Sequence, residues 1–82
     1  MKDKQHPGEL IKAAMKAAKV TQVAFATSAD MAPTALSEIL SGKRGITPSF
    51  CLALENAGIG DAEIWLFMYL RYELAKIRKA NS

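Results

Sequence analysis

Two adjacent cations, Lys43 and Arg44, lie in the most specific run of this sequence, residues 41–48, SGKRGITP. Gly42 before them suits the left-handed residue that ends a helix, and Gly45 closes the short loop. Cations at such a helix end complement its dipole, and arginine can also bind a phosphate group through two parallel hydrogen bonds. Both roles fit this loop, and we favour phosphate contact by Lys43 and Arg44.

Residues of catalytic or metal-binding type are few. His6 is the single histidine and Cys51 the single cysteine, so neither has the partners that a metal site with three or four ligands needs. The sequence also has no serine, histidine and acid set in a fitting context, and no glycine-rich phosphate loop. We therefore expect a protein that is not an enzyme and holds no metal or cofactor, with a structural or incidental His6 and a packed Cys51 thiol.

The segment that must position the two cations is residues 21–42, which is predicted to form two short helices separated by a brief turn at residues 29–31. Thr21 suits the N-cap of the first helix, because its hydroxyl accepts a backbone N–H that is unpaired there. Pro33 suits the first position of the second helix, where no N–H donor is needed. On the first helix, the residues predicted to point inward are Val23, Phe25 and Ala26.

The second of these helices has two sides of opposite character. Leu36, Ile39 and Leu40 recur with helical spacing and are predicted to be buried. The opposite, exposed side then holds Pro33, Thr34, Ser37, Glu38 and Ser41. Two short helices joined by so tight a turn pack at a steep angle, so the second can enter the major groove of DNA. An ordinary corner between two core helices would give the same pattern, and both interpretations stay open on this segment alone.

The whole chain, residues 1–82, is predicted to be one all-α domain of five helices. Alanine and leucine dominate, and the three prolines and five glycines are too few for a strand-rich fold. Residues 1–5 are polar and expected to be loose. The last helix is predicted over residues 61–79, with Asp61 as its cap.

The net charge of +3 and the pI near 9.2 fit nucleic-acid binding without requiring it. The N-terminus carries charges where a signal peptide is apolar, and the longest bulky apolar run, Ile64–Leu70, is too short to span a bilayer. A single cysteine fits a reducing compartment. We therefore expect a cytoplasmic protein without a membrane segment.

The last helix carries more apolar surface than one buried stripe needs. The residues predicted to form a two-fold dimer interface there are Trp65, Phe67, Met68 and Tyr72. Doubling would place two DNA-facing helices about 34 Å apart, one turn of a palindromic operator. A long helix that only closes the bundle, or a docking surface for another protein, would explain the same pattern.

One family matches several runs of this sequence in their order and spacing. The runs are residues 6–9, 21–22, 36–40 and 42–48, together with Trp65. They resemble the HigA/VapI-type antitoxins of the XRE, lambda-repressor-like helix-turn-helix family, over residues 6–76. The resemblance implies a five-helix lambda-repressor-like domain that binds double-stranded DNA, dimerises, neutralises a small ribonuclease toxin and represses its own operon.

Position by position, the resemblance implies roles for individual residues. Gln22 resembles the residue that holds a phosphate and braces the recognition helix. The positions that face the groove match Pro33, Thr34, Ser37 and Glu38, and those of the following loop match Lys43 and Arg44. Trp65 and the helix around it match the element used in dimer packing.

The sequence departs from the family pattern in the turn and at the start of the recognition helix. Relatives often have glycine where this chain has Asp30, and a serine cap followed by a basic residue where it has Ala32 and Pro33. The recognition helix therefore has no arginine or lysine, so hydroxyl groups, methyl contacts or DNA shape must distinguish the bases. Glu38 can accept a hydrogen bond from cytosine, but a solvated or intramolecular role suits an anion near phosphates better.

Two other functions fit the same residues. A stand-alone phage or plasmid repressor would have the same domain without a toxin, and the adjacent gene separates it from an antitoxin. A protein-interaction module with a decayed DNA-binding face would leave the mobility of promoter fragments unaltered in a gel shift.

Overall fold

The computed structural model describes residues 6–81, and the segment 1–5 that the sequence predicts to be loose lies outside them. The described chain folds into five helices, which confirms the predicted all-α fold. They are α1 Pro7–Ala17, α2 Gln22–Ser28, α3 Pro33–Ser41, α4 Pro48–Asn56 and α5 Ala62–Asn81. Within this part of the chain, no helix combines the length and the apolar character that crossing a membrane requires.

The helices begin at residues with local start signals. The hydroxyl of Thr21 accepts the N–H of Ala24 at 3.1 Å, and the hydroxyl of Thr47 accepts that of Phe50 at 3.2 Å. Proline occupies the first turn of α1, α3 and α4, where its missing N–H costs no hydrogen bond. At α3 the cap residue Ala32 offers no side-chain hydrogen bond, so Pro33 is its main local start signal.

Helices α1, α2 and α4 end in the same hydrogen-bonded arrangement, the Schellman motif. In each, the N–H of an apolar residue beyond the helix reaches back five residues, from Val20 to Met15, Met31 to Ala26 and Ile59 to Leu54, at 2.8 to 2.9 Å. The residue before each apolar one is left-handed, and these residues are Lys19, Asp30 and Gly58. The apolar residues pack on the core, so each motif stops a helix and turns the chain inward.

A single apolar cluster to which all five helices contribute forms the core. Phe25 and Phe50 meet edge to face with ring centroids 5.8 Å apart, which joins α2 to α4. The indole N–H of Trp65 donates to the carbonyl of Ile59 at 2.6 Å and closes the core at the start of α5. The predicted inward residues of α3 all belong to this cluster, and they are Leu36, Ile39 and Leu40.

A close approach between α1 and α3 fixes the position of α3. A Cβ added to Gly8 would overlap the carbonyl oxygen of Leu40, so glycine is needed for the first turn of α1 to lie against the end of α3. His6 caps α1, because its Nδ1 accepts the N–H of Gly8 at 2.9 Å, and its ring lies edge-on to Tyr72 at 4.9 Å. At one corner of the molecule, the first turn of α1 therefore meets both helix α5 and the end of α3.

The cap requires a neutral His6 ring, since Nδ1 must remain an acceptor. Burial is the main cause that lowers the pKa of His6; the charge of Glu73 opposes the shift and that of Lys76 adds to it. Burial likewise raises the pKa of the Cys51 thiol, which packs in the core as an uncharged apolar group. Both residues therefore have the structural roles that the sequence predicts.

One residue of α2 differs from the prediction. Val23, expected to point inward, is 65% exposed. This helix has only seven residues, and the core covers the side that carries Phe25 and Ala26. Val23 is left on the outer side, facing solvent.

Candidate nucleic-acid interface

The polar side of α3 is open to solvent along its length. Thr34 and Ser37 are both exposed, as are Pro33 at its start and Ser41 at its end. The buried side packs on α1 and α2 through the apolar cluster. The helix therefore offers two hydroxyl groups one turn apart, on a support that the core holds in place.

Helix α3 ends in the same motif as α1, α2 and α4, but with a cation where the others have an apolar residue. Gly42 is left-handed, with φ of +91°, as the sequence predicts. The N–H groups of Lys43 and Arg44 both donate to the carbonyl of Glu38, at 2.8 and 3.2 Å. Because Lys43 replaces the apolar residue, nothing draws it into the core, and it stays exposed beside the hydroxyl side of α3.

Glu38 and Arg44 form an ion pair on this surface. Nε of Arg44 donates to a carboxylate oxygen of Glu38 at 2.6 Å. Both side chains are partly exposed, so water screens the pair and its contribution to stability is small. Of the two roles weighed for Glu38, base reader and intramolecular partner, the geometry places it as the partner of Arg44. The terminal nitrogens of the guanidinium still have N–H groups to donate.

Tyr69 of α5 supports the opposite side of the loop, a role that the sequence reasoning missed. A Cβ added to Gly45 would lie 2.8 Å from its phenol oxygen. Burial is the main cause that raises the pKa of Tyr69, and the Glu73 carboxylate adds to it. The neutral phenol therefore braces the cationic loop against α5. In the sequence near the loop, Gly45 alone indicates this long-range contact.

The turn between α2 and α3 needs a left-handed residue, and here that residue is not glycine. Asp30 has φ of +56°, a conformation that aspartate tolerates better than most residues. The turn therefore has its left-handed residue, although Asp30 stands where the resemblance implies glycine. Gln22, predicted to hold a phosphate, is the exposed first residue of α2, and no hydrogen bond joins it to α3 within residues 6–81.

The four residues predicted for the dimer interface lie on different sides of α5. Trp65 is buried in the protomer core, and Met68 and Tyr72 are partly buried on the side that faces the body. Phe67 alone of the four points outward. Four further large apolar residues of α5 are also exposed, and they are Ile64, Leu70, Leu74 and Ile77.

No set of three or more metal-ligating side chains is gathered anywhere in residues 6–81. What the surface around α3 offers is hydrogen bonding and positive charge. Hydroxyl groups from Thr34 and Ser37 and the cations Lys43 and Arg44 suit base edges and phosphates respectively.

Comparison with known proteins agrees with this geometry. A family profile described as helix-turn-helix matches residues 11–58, more than half of the chain. Virulence-associated protein A′ of Dichelobacter nodosus is 36% identical over 78 residues, which cover 94% of this chain and 68% of that protein. Virulence-associated protein I of the same organism is 34% identical over 70 residues, covering 84% of this chain and 65% of the relative.

A third relative is named as a transcriptional regulator. It is an uncharacterised HTH-type transcriptional regulator of Escherichia coli, YddM, 27% identical over 79 residues that cover 96% of this chain and 84% of its own length. The matched region includes α2, α3 and the cationic loop. The chain therefore belongs to the XRE-type helix-turn-helix family of DNA-binding regulators.

Proposed function

We propose that this protein is a sequence-specific transcriptional repressor of the antitoxin type, which binds a palindromic operator in front of its own gene. The observation that carries the proposal is the exposed hydroxyl side of α3, with Thr34 and Ser37, next to the cationic loop with Lys43 and Arg44. Repression then requires no catalysis, because a protein that occupies the operator blocks transcription.

The two parts of this surface have different tasks. The loop cations bind phosphates and supply affinity that does not depend on sequence, whereas the hydroxyl groups of α3 face the base edges. Because α3 has no arginine or lysine, contacts with thymine methyl groups and the shape of the DNA contribute to the choice of site.

A dimer strengthens the proposal, since one short recognition helix contacts only a few base pairs. Two copies related by a two-fold axis contact two half-sites, with recognition helices about 34 Å apart. The free-energy gains of the two half-sites then add in a single complex.

The antitoxin part rests on the resemblance of the sequence runs to HigA/VapI-type antitoxins. It predicts a reading frame for a small basic ribonuclease beside this gene. Expression of that reading frame alone should arrest growth, and co-expression with this protein should relieve the arrest. Unrelieved arrest would leave the stand-alone repressor as the better description.

DNA binding is tested by fluorescence anisotropy with the region upstream of the gene, titrated at several salt concentrations. Arg44→Ala should weaken binding to all sequences alike and lower the salt slope by about one unit per protomer, because one phosphate contact is lost. Lys12→Ala is the matched control, since Lys12 is an exposed cation of α1 outside this surface, and its salt slope should stay near that of the wild type.

If the wild-type protein leaves upstream DNA unbound even at low salt, the repressor proposal is wrong and a protein-interaction module takes its place. If Arg44→Ala leaves both the affinity and the salt slope unchanged, the proposal of DNA binding stands but Arg44 does not contact a phosphate.

A further inference from the structure

His6 lies where the first turn of α1, the end of α3 and helix α5 come together. Its Nδ1 accepts the N–H of Gly8 at 2.9 Å, the hydrogen bond that caps α1. Its ring stands edge-on to Tyr72, with centroids 4.9 Å apart, and to Tyr69 at 6.2 Å. The same ring lies beside Gly42, where an added Cβ would be 3.6 to 3.8 Å from three ring atoms. One imidazole is therefore close to all three parts of the fold.

These neighbours connect His6 to the candidate nucleic-acid interface. Gly42 is the left-handed residue directly before the two loop cations. Gly8, whose N–H is bound by His6, lies so close to the carbonyl oxygen of Leu40 that a Cβ would overlap it. Because closely packed groups transmit displacements, a shift of His6 or of the first turn of α1 displaces the end of α3 as well.

Histidine is an unusual residue for a helix cap, because its acceptor is lost when the ring takes up a proton. The caps of α2 and α4 are the hydroxyl groups of Thr21 and Thr47, which do not titrate near neutral pH. A protonated imidazole carries N–H groups on both nitrogens, so Nδ1–H would face the N–H of Gly8. Its charge would also lie at the positive end of the α1 dipole. Protonation therefore breaks this cap and leaves those of α2 and α4 intact.

The charged groups that act on the His6 ring belong to α1 and α5. Burial is the main cause that lowers the pKa of His6. The carboxylate of Glu73 opposes this shift, the ammonium of Lys76 adds to it, and the carboxylate of Glu9 opposes it. The ring is therefore neutral at neutral pH and takes up a proton below its ordinary pKa.

The other groups around the ring are two phenols and the start of the cationic loop. Burial is the main cause that raises the pKa of Tyr69, so this phenol stays uncharged. The end of α3 brings Gly42, which has no side chain, and the loop continues with Lys43 and Arg44. A proton on His6 would therefore add positive charge beside a loop that is already positive.

We infer that His6 is a positioning residue of the DNA-binding surface, so that the protein binds DNA with His6 neutral and loses affinity when this ring is protonated. The neutral ring holds the first turn of α1, and with it the end of α3 and the loop. The protonated ring loses its hydrogen bond with Gly8, and DNA binding must then restore the displaced loop. The inference rests on the DNA binding of the proposed function and adds a residue that acts through its neighbours.

The direction of the pH effect separates positioning from the effect of charge alone. One more positive charge near the loop would by itself strengthen DNA binding as the pH falls, because it attracts phosphates. Loss of positioning weakens binding over the same range. The stability of the fold changes in the same direction as positioning: the contribution of neutral His6 is complete above the ordinary pKa of 6.5 and is lost as the pH falls through the lowered pKa.

The test measures affinity for the upstream DNA by fluorescence anisotropy at about pH 7.5 and about pH 5, at constant salt. His6→Asn is the matched control, because its amide oxygen can cap α1 but does not titrate. The ratio of wild-type to His6→Asn affinity should fall about three- to fivefold at the lower pH, the size of change that loss of one cap produces. His6→Ala has no cap acceptor, and its affinity should lie below that of His6→Asn by about the same factor at both pH values.

A second measurement needs no DNA. In the free wild-type protein, protection of the Lys43 N–H from hydrogen exchange should fall at the lower pH relative to His6→Asn, because the end of α3 loosens. Circular dichroism at both pH values excludes general unfolding.

Two results would overturn the inference: an affinity ratio that stays constant or rises as the pH falls, or Lys43 protection that follows His6→Asn at both pH values. Either result leaves the proposed function standing if the wild type binds the upstream DNA at about pH 7.5. A wild type that leaves this DNA unbound at the higher pH contradicts the proposed function itself, and the inference with it.

Discussion

At the scale of single residues, Glu38 holds both cations of the candidate nucleic-acid interface. Its carbonyl accepts the N–H groups of Lys43 and Arg44, and its carboxylate accepts Nε of Arg44. Holding the guanidinium by Nε leaves its terminal nitrogens available for a phosphate. In the proposed complex, Glu38 thus positions Arg44 for a phosphate, and its own negative charge lowers the affinity of the surface for DNA.

This role gives Glu38→Gln a distinctive expected outcome. Glutamine keeps an oxygen that accepts from Arg44 but loses the negative charge, so affinity for DNA should rise about two- to threefold, equally for all sequences. Competition anisotropy with a panel of single-base variants of the upstream site measures both affinity and preference. Glu9→Gln on α1 is the control for removal of one exposed charge.

A base-reading Glu38 would behave differently. Affinity would then fall, and it would fall most for sites that carry one particular cytosine, because the substitution would alter a direct base contact. That pattern would show that Glu38 contacts a base directly.

At the scale of helices, the Schellman motif ends four helices, with different residues at its left-handed position. The left-handed position is glycine after α3 and α4, but Lys19 after α1 and Asp30 after α2. Glycine adopts this conformation without steric cost, whereas a residue with a Cβ does not. The hydrogen bonds and the packing of Val20 and Met31 hold the two strained residues in place.

Lys19→Gly should therefore stabilise the protein. We expect the free energy of unfolding to rise by about 0.5–1 kcal/mol, the steric cost removed less the greater freedom of glycine in the unfolded chain. Urea denaturation followed by circular dichroism measures the change. Ala17→Gly, an exposed position two residues earlier with helical backbone, should lower stability by about 0.5–1 kcal/mol. Equal losses for both substitutions would contradict the role given to the left-handed position.

Helix starts were predictable because their signals are local. Thr21, Pro33, Thr47 and Pro48 mark where α2, α3 and α4 begin, and Gly42 marks where α3 ends. The side of a helix that meets the core depends instead on the helices packed around it. For this reason the prediction that Val23 points inward is wrong. α5 is apolar on two sides, and long-range contacts such as that of Trp65 with Ile59 show which side belongs to the protomer. The support of the loop by Tyr69 is equally long-range.

The candidate site was predictable in those parts whose sequence signals are local. The periodicity of α3 separates Thr34 and Ser37 from the buried Leu36, and the glycine-bracketed loop identifies Lys43 and Arg44. The ion pair of Glu38 with Arg44 was not predictable as geometry, because six residues of chain and a left-handed turn separate its members.

At the scale of the whole molecule, charge is unevenly distributed over the surface. The loop beside α3 is positive, residues 45–70 hold three acids and no lysine or arginine, and the end of α5 is basic. Tyr69 connects the loop to α5, since it belongs to α5 and lies against Gly45. The position of the loop therefore depends on how α5 packs within the protomer.

The most direct measurement of the central claim is amide NMR of the labelled protein during titration with its upstream DNA. We expect the largest shift changes at residues 34–37 and 42–45, in α3 and the loop, with small changes in α4 at residues 49–56. Saturable binding with shift changes confined to α4 and α5, while α3 and the loop stay unchanged, would contradict the claim that DNA is bound by the hydroxyl side of α3.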